Sequence, residues 1–285
     1  MQKVMTVSDT STDVSAVDLY RRQYQEHGFF IIPGCLPQIE LQALKAEVQR
    51  IHNCWLQMNR EDYQKYAMIN MHGLTDPVYF QGTDGKSDAK RRGEFFNLLA
   101  PLSLLTTMAS VFGNDLYFHN TQLFFNPYRN GRTPYWHRDM QYQGESEAIQ
   151  KADLASMLSL HVRIPLIDEK GIELIPGTHK RWDNEREHQV RLELNGHENH
   201  QSLPESQLIS LNAGDALVFS AHMIHRGHYC LPKRLALDLC VGSPHPKPLK
   251  YLDSKHLPNV SELPYIEHPQ WFNRAINHIH EHGGN

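Results

Sequence analysis

Residues 212–229 read NAGDALVFSAHMIHRGHY. Asn212 to Asp215 is turn chemistry, Ala216 to Ser220 is a short apolar run of buried-strand type, and two histidines, His222 and His225, follow at once. A buried strand that ends in imidazoles belongs to a β-rich core that carries chemistry. Working outward, the same texture begins near Leu116 and continues through LYFHNTQLFF, PYWHRD, SMLSLHVRIPLI, GIELIP, QLISLN, ALVFS, IHRGHY and LALDLCVG. Eight short strands separated by turn residues predict a double-sheet roll or barrel.

The first hundred residues differ. Leu41, Leu44, Val48, Ile51 and Trp55 recur at helical spacing behind PGCLPQIE, and DLYRRQYQEHG reads as a short helix stopped at Gly28, with a buried strand over Phe29 to Ile32. The fold class is therefore mainly β with flanking helices. Residues 181–206 are charged and polar and read as an insertion between strands, and neither a repeat nor a Gly/Ser linker divides the chain. One domain over 1–285 is expected, with an α-rich part over about 1–110, the roll over about 115–245 and a C-terminal extension over about 246–285.

Bulk properties narrow the function. A formal charge of -4 leaves no basic stripe for a phosphate backbone, so no nucleic-acid partner is expected. The run Lys90 to Arg92 reads as solvated surface, with at most a hint of an anionic substrate. Cys35, Cys54, Cys230 and Cys240 form no C-x-x-C pair, and no apolar stretch reaches the length of a membrane span. A cytoplasmic protein with reduced thiols and no membrane partner is the expectation. His278, His280 and His282 near the C-terminus read as a solvated, frayed tail.

Residues 133–142 read TPYWHRDMQY. On a strand, His137 and Asp139 project to one face and Arg138 turns away. One imidazole and one carboxylate need a third donor, and either His222 or His225 can supply it. Two imidazoles and a carboxylate suit Fe(II) with positions left open for a co-substrate and dioxygen.

Four segments in order, YQEHGFFIIPGCLPQIELQALKAEV, YWHRDMQY, GIELIPGTHK and AGDALVFSAHMIHRG, resemble the phytanoyl-CoA dioxygenase family of Fe(II)- and 2-oxoglutarate-dependent oxygenases. The resemblance implies a double-stranded β-helix, a cupin-like jelly roll with iron in its open end. It places the distal iron ligand on His225, completing a triad with His137 and Asp139, and sets His222 on the opposite face or one turn away. It implies that Arg234 pairs with the distal carboxylate of 2-oxoglutarate, a task for a planar, permanently charged fork, and that Gln122 contacts the same co-substrate. The sequence departs from the family at Gly227, where a serine is usual and where Tyr229, Tyr135 or Thr133 would have to replace its hydroxyl. It departs also at Lys170-Gly171, and at Arg138 in place of a glutamine.

The expected reaction is hydroxylation of a C–H bond in a small molecule, with Fe(II), 2-oxoglutarate and O2 consumed to give succinate and CO2. An intact Asp139 fills the site where related halogenases bind halide. The alternatives are a non-catalytic jelly-roll binding or sensor protein and a cupin-type metalloenzyme independent of 2-oxoglutarate. Trp136, Met140, Tyr142 and the region from Met68 to Phe96 are the expected pocket walls. Substrate and oligomeric state are not legible.

Overall fold

In the computed structural model, residues 15–60, 70–82, 85–126, 133–229, 233–249 and 252–282 are described. Among the described residues nine strands form two antiparallel sheets: β1 Phe29–Ile32, β2 Asn70–His72, β3 Tyr117–Phe125, β4 Ser159–Pro165, β5 Glu169–Leu174, β6 Gln207–Leu211, β7 Ala216–Ser220, β8 His225–Gly227 and β9 Leu235–Gly242. The larger sheet runs β1-β7-β4-β9-β3-β2, and the smaller runs β6-β5-β8. The helices that accompany them are α1 Ala16–His27, α2 Gln38–Met58, α3 Ala89–Leu99, α4 Leu102–Phe112, α5 Glu147–Ser156, α6 Glu185–Arg191, α7 Pro246–Leu249 and α8 Gln270–His282. This is the β-rich roll with flanking helices that the strand spacing predicts.

The period of two decides what each face of the large sheet does. Leu160, Val162 and Ile164 of β4, Leu237, Leu239 and Val241 of β9, and Leu123 and Phe125 of β3 share one core with Leu41, Leu44, Val48 and Ile51 of α2 and with residues of α3, α4 and α8. The residues between them, His161 and Arg163 on β4, Asp238 on β9, and Gln122 and Phe124 on β3, line a cavity on the opposite face. Toward one end of the roll the two sheets close on each other through Ile172, Leu174, Ile209 and Leu211 against Leu217 and Phe219.

Local sequence explains the joints. Gly28 caps α1 at φ +87°, and a Cβ there would stand 2.5 Å from His179 Nδ1 and 2.8 Å from Met223 Sδ, so only glycine lets the helix turn into β1. The turn before β7 is held by Asp215, whose carboxylate accepts from the backbone N–H groups of Asn212 and Gly34, both at 2.9 Å.

Three expectations change. PYWHRD is not a strand: only His137 pairs, through a single bridge to His225, and Asp139 opens a 3-10 turn over Asp139–Gln143. Residues 181–206 do lie between β5 and β6, as an insertion between strands, and they are packed on the roll: Val190 and Leu203 bury against Trp136, Ile175 and Ile224, and the carbonyl of Gln201 accepts from Trp136 Nε1 at 2.8 Å. The C-terminal stretch is not frayed: α8 packs on β3 with Trp271, Phe272 and Ala275 buried. Arg92 is not solvated either. It is buried against Glu262 at 2.7 Å and donates to three backbone carbonyls, while Lys90 and Arg91 of the same run are exposed, as expected. The N-terminal 14 residues, Cys230 and Met68 lie outside the described residues.

Candidate active site

His137 and His225 face each other as a bonded antiparallel pair, each backbone N–H donating to the other's carbonyl at 2.9 Å, with ring centroids 4.2 Å apart. The pairing extends the small sheet by one residue beyond β8 and fixes the two rings side by side. The loop that delivers His225 rests on the Pro-Gly-Thr-His turn: Thr178 Oγ1 accepts from Ile224 N at 3.0 Å and donates to Ile175 O at 2.6 Å.

Asp139 closes the group. One carboxylate oxygen, Oδ1, lies 3.6 Å from His137 Nε2 and 3.5 Å from His225 Nε2, and the three donor atoms fall within 4.8 Å of one another. With metal bonds of about 2.1 Å, donors at right angles sit about 3 Å apart, so this spacing suits a single ion. Each ring's other nitrogen is committed: His137 Nδ1 lies 3.1 Å from Tyr135 O and His225 Nδ1 2.9 Å from Met223 O. A carbonyl only accepts, so both Nδ1 atoms carry the proton and both Nε2 lone pairs point into the site.

The electrostatics agree. Burial pushes His225 down to about 3, helped by the neighbouring His137 ring, and burial also lowers His137 against the pull of Asp139, so both imidazoles are neutral as metal ligation requires. Burial alone would raise Asp139, but His161, His225 and His137 outweigh it and hold the carboxyl far below the usual range. Asp139 is the anion of the group.

These side chains line a cavity of about 430 Å³ together with Arg234, Gln122, Phe124, Ile172 and Phe219. Arg234 is buried, and its Nε and Nη1 have no hydrogen-bond partner; its nearest carboxylate, Glu169, stands 3.5 Å away. Burial and the neighbouring Arg163 cation lower its pKa to about 10, so it stays charged, with two donor nitrogens that lack an acceptor. A carboxylate fits that deficit. Gly227 now has a physical reason, because a Cβ at that position would sit 3.2 Å from Arg234 Nη2. Of the proposed stand-ins for the missing serine, Tyr135 lines the cavity, Tyr229 lies with its ring 5.8 Å from the Arg234 guanidinium, and Thr133 is exposed.

His222 points elsewhere, into a separate cavity with Tyr24, His179 and Trp182 on the far side of β7. Among the described residues of the expected pocket walls only Tyr142 lines the site, where its hydroxyl donates to Tyr135 at 3.1 Å. Trp136 and Met140 are fully buried, and Phe80, Phe95 and Phe96 belong to the helical core. Arg138 does turn away from the site, yet not to solvent: its guanidinium is buried, bonded to Asp183 at 2.8 Å and to the carbonyls of Thr178, His222 and Arg181. It ties the ligand loops to the segment after β5.

Sequence reading missed His161, Arg163, Glu169 and Asp238. His161 Nε2 donates to Asp139 Oδ2 at 2.7 Å, Arg163 pairs with Asp238 and Glu169, both at 2.8 Å, and all four residues are buried. The signal was present as polar residues at alternate positions of apolar strands, in SLHVRIP and LALDLC.

A family model described as phytanoyl-CoA dioxygenase matches residues 24–229. The chain belongs to that family. The family is one of Fe(II)- and 2-oxoglutarate-dependent oxygenases, and the His137, Asp139 and His225 donors suit its iron. Among solved structures, EctD from S. alaskensis with 2-oxoglutarate and 5-hydroxyectoine is 14% identical at TM-score 0.53, over 81% of this chain and 76% of that one. The carbocyclase SnoK from nogalamycin biosynthesis is 15% identical at 0.52, over 81% and 85%. The epimerase SnoN with Fe3+, alpha ketoglutarate and nogalamycin RO is 17% identical at 0.50, over 80% and 84%. These likenesses show the fold. No curated protein sequence matches the chain. Among the described residues no single helix is long and apolar enough to cross a membrane.

Proposed function

We propose that this member of the family hydroxylates a C–H bond of a small molecule, with His137, Asp139 and His225 as its iron ligands and Arg234 as the anchor of 2-oxoglutarate. One observation carries the reading: a buried guanidinium with two unpartnered nitrogens lines the same cavity as two Nε2 lone pairs and a carboxylate. Bound iron supplies the redox chemistry, in which 2-oxoglutarate and O2 become succinate and CO2 and one oxygen atom goes to the substrate.

The chain's own residues do the rest. Arg234 takes the distal carboxylate as a fork, and Gln122 on the neighbouring strand offers its amide to the same ligand. Phe124, Ile172 and Phe219 line the cavity with apolar surface and keep water from the reacting groups. Tyr135 and Tyr142 flank His137, with ring centroids 5.2 and 5.8 Å from the imidazole, where they would meet the substrate.

The test is Fe(II)-dependent succinate formation from 2-oxoglutarate. The wild type turns over, while His137→Ala and Asp139→Ala fall to the background of free Fe(II); equal rates in all three would end the proposal. Product mass then separates hydroxylation, a gain of one oxygen, from the epimerase and carbocyclase chemistries named for fold neighbours.

A further inference from the structure

His161 has no place among the proposed ligands, yet it makes the tightest contact on one of them. It stands on β4 of the large sheet, whereas His137 and His225 belong to the small one, so its bond to Asp139 crosses the cavity. The two oxygens of Asp139 are divided: Oδ1 faces both ligand rings at 3.5 and 3.6 Å, and Oδ2 is held at 2.7 Å by His161 Nε2. The His161 ring cannot swing. Its plane stacks on Phe219 at 5.0 Å and 14°, and its Nδ1 faces Asp238 Oδ2 at 3.4 Å and Cys240 Sγ at 3.8 Å.

Asp238 is fixed in turn by Arg163, Arg163 by Glu169, and Glu169 reaches Arg234. A buried line of alternating charge therefore runs from the carboxylate at the metal seat to the guanidinium that would take 2-oxoglutarate. The consequence is coordination number. An octahedral ion with two imidazoles and a monodentate carboxylate keeps three positions, enough for a keto-acid chelate and dioxygen; a bidentate carboxylate removes one of them.

We propose that His161 is a positioning residue that holds Oδ2 of Asp139 across the cavity, so that only Oδ1 is presented to the metal. This rests on the proposed ligand set. It assigns a role to a side chain that neither donates to the metal nor pairs with 2-oxoglutarate.

The experiment titrates the purified protein with Co(II), without 2-oxoglutarate, and follows the visible bands of the bound ion. Wild type is compared with His161→Gln, whose amide can reach Oδ2, and His161→Phe, which keeps the stack on Phe219 and loses the donor. His161→Phe is expected to bind Co(II) about 10- to 100-fold more weakly, with altered band positions, and His161→Gln to stay near wild type. Equal affinity and spectra in all three, or equal losses in Gln and Phe variants that unfold like wild type, overturn it. If His161→Phe fails to fold, His161→Asn replaces it: the amide is one methylene too short to reach, so Asn weak with Gln tight supports the role and Asn equal to Gln overturns it. A protein whose Co(II) site depends on His161 but which makes no succinate would sink the oxygenase reading and leave this one standing.

Discussion

The two walls of the cavity solve opposite electrostatic problems. The small-sheet wall presents two neutral imidazoles, each held by a backbone carbonyl and neither paired to an acid other than Asp139. The large-sheet wall buries His161, Arg163 and Asp238, with Arg234 just ahead of β9, and Glu169 at the start of β5 reaches them from the small sheet, all within a few ångströms of one another. His161 is held charged there: burial would lower it, but Cys240, Asp139 and Asp238 raise it well above the usual value. With Asp139 included, three carboxylates face two guanidiniums and one imidazolium, so the site is neutral, and a divalent ion arriving with a dianionic keto acid keeps it neutral. One wall is built to donate lone pairs and the other to balance charge. Within the second wall the difference sharpens to two arginines, because Arg163 is saturated by carboxylates and Arg234 is not.

The two arginines give the largest expected effect. Arg163→Met leaves Glu169 and Asp238 as buried charges without their main partner, and breaking a buried pair from one side costs about 3–5 kcal/mol, read as a lower midpoint in urea unfolding. Arg234→Met removes a cation whose one ion-pair contact is 3.5 Å from Glu169, a carboxylate that keeps Arg163 as its main partner, so the apo protein loses less stability than Arg163→Met does, while the upward Tm shift caused by 2-oxoglutarate with Co(II) disappears. Arg234→Lys keeps charge but not the fork, and one lost charge-assisted bond of about 1.5–3 kcal/mol weakens 2-oxoglutarate binding by roughly 10- to 100-fold. If both Met variants unfolded alike, the division between a structural and a binding arginine would fail.

Gly227 sharpens the same comparison at smaller scale. A methyl at 227 would crowd the Arg234 guanidinium at 3.2 Å, and a tight contact costing about 1 kcal/mol translates to roughly fivefold weaker 2-oxoglutarate binding in Gly227→Ala. Co(II) affinity without 2-oxoglutarate should not move. Isothermal titration with each ligand separates the two outcomes, and a gain in 2-oxoglutarate affinity would show that the guanidinium has other room.

What was legible in the sequence follows from range. His137 and Asp139 lie two residues apart and His225 follows a turn-strand signature, so local patterns carry them, as does the alternation that marks β3, β4, β7 and β9. The same alternation places His161, Arg163 and Asp238 on the cavity face, but only the pairing of β4 with β9 sets Arg163 against Asp238 and reveals them as partners. Residues 181–206 read only as a charged and polar insertion between strands, because their charges are dense. In the fold those charges neutralise one another at Arg138, Asp183 and Arg191, a pairing across 45 residues that no local window contains. The C-terminal helix was missed for a related reason: its three histidines dominate the reading, while Trp271, Phe272 and Ala275, the residues that dock it, precede them.

The two histidines of one short motif give the smallest and cleanest comparison. His225 turns into the cavity and His222 lies on the other side of β7, where burial brings its pKa down to about 4, against the pull of Asp139. An unfolded chain takes up that proton near pH 6.5, whereas the folded chain refuses it until about pH 4, so between those values the unfolded state binds more protons. Stability from this group is therefore complete above about 6.5 and falls as pH drops through the window, by about 1.4 kcal/mol per pH unit at most. His222→Gln removes the proton site, and the acid limb of apo-protein stability, measured by urea unfolding from pH 7 to 4, should flatten by up to that slope. Co(II) affinity at pH 7 should be unchanged. A variant that lost Co(II) binding while keeping the acid limb would place His222, not His225, at the metal seat, and the division of labour within that motif would be reversed.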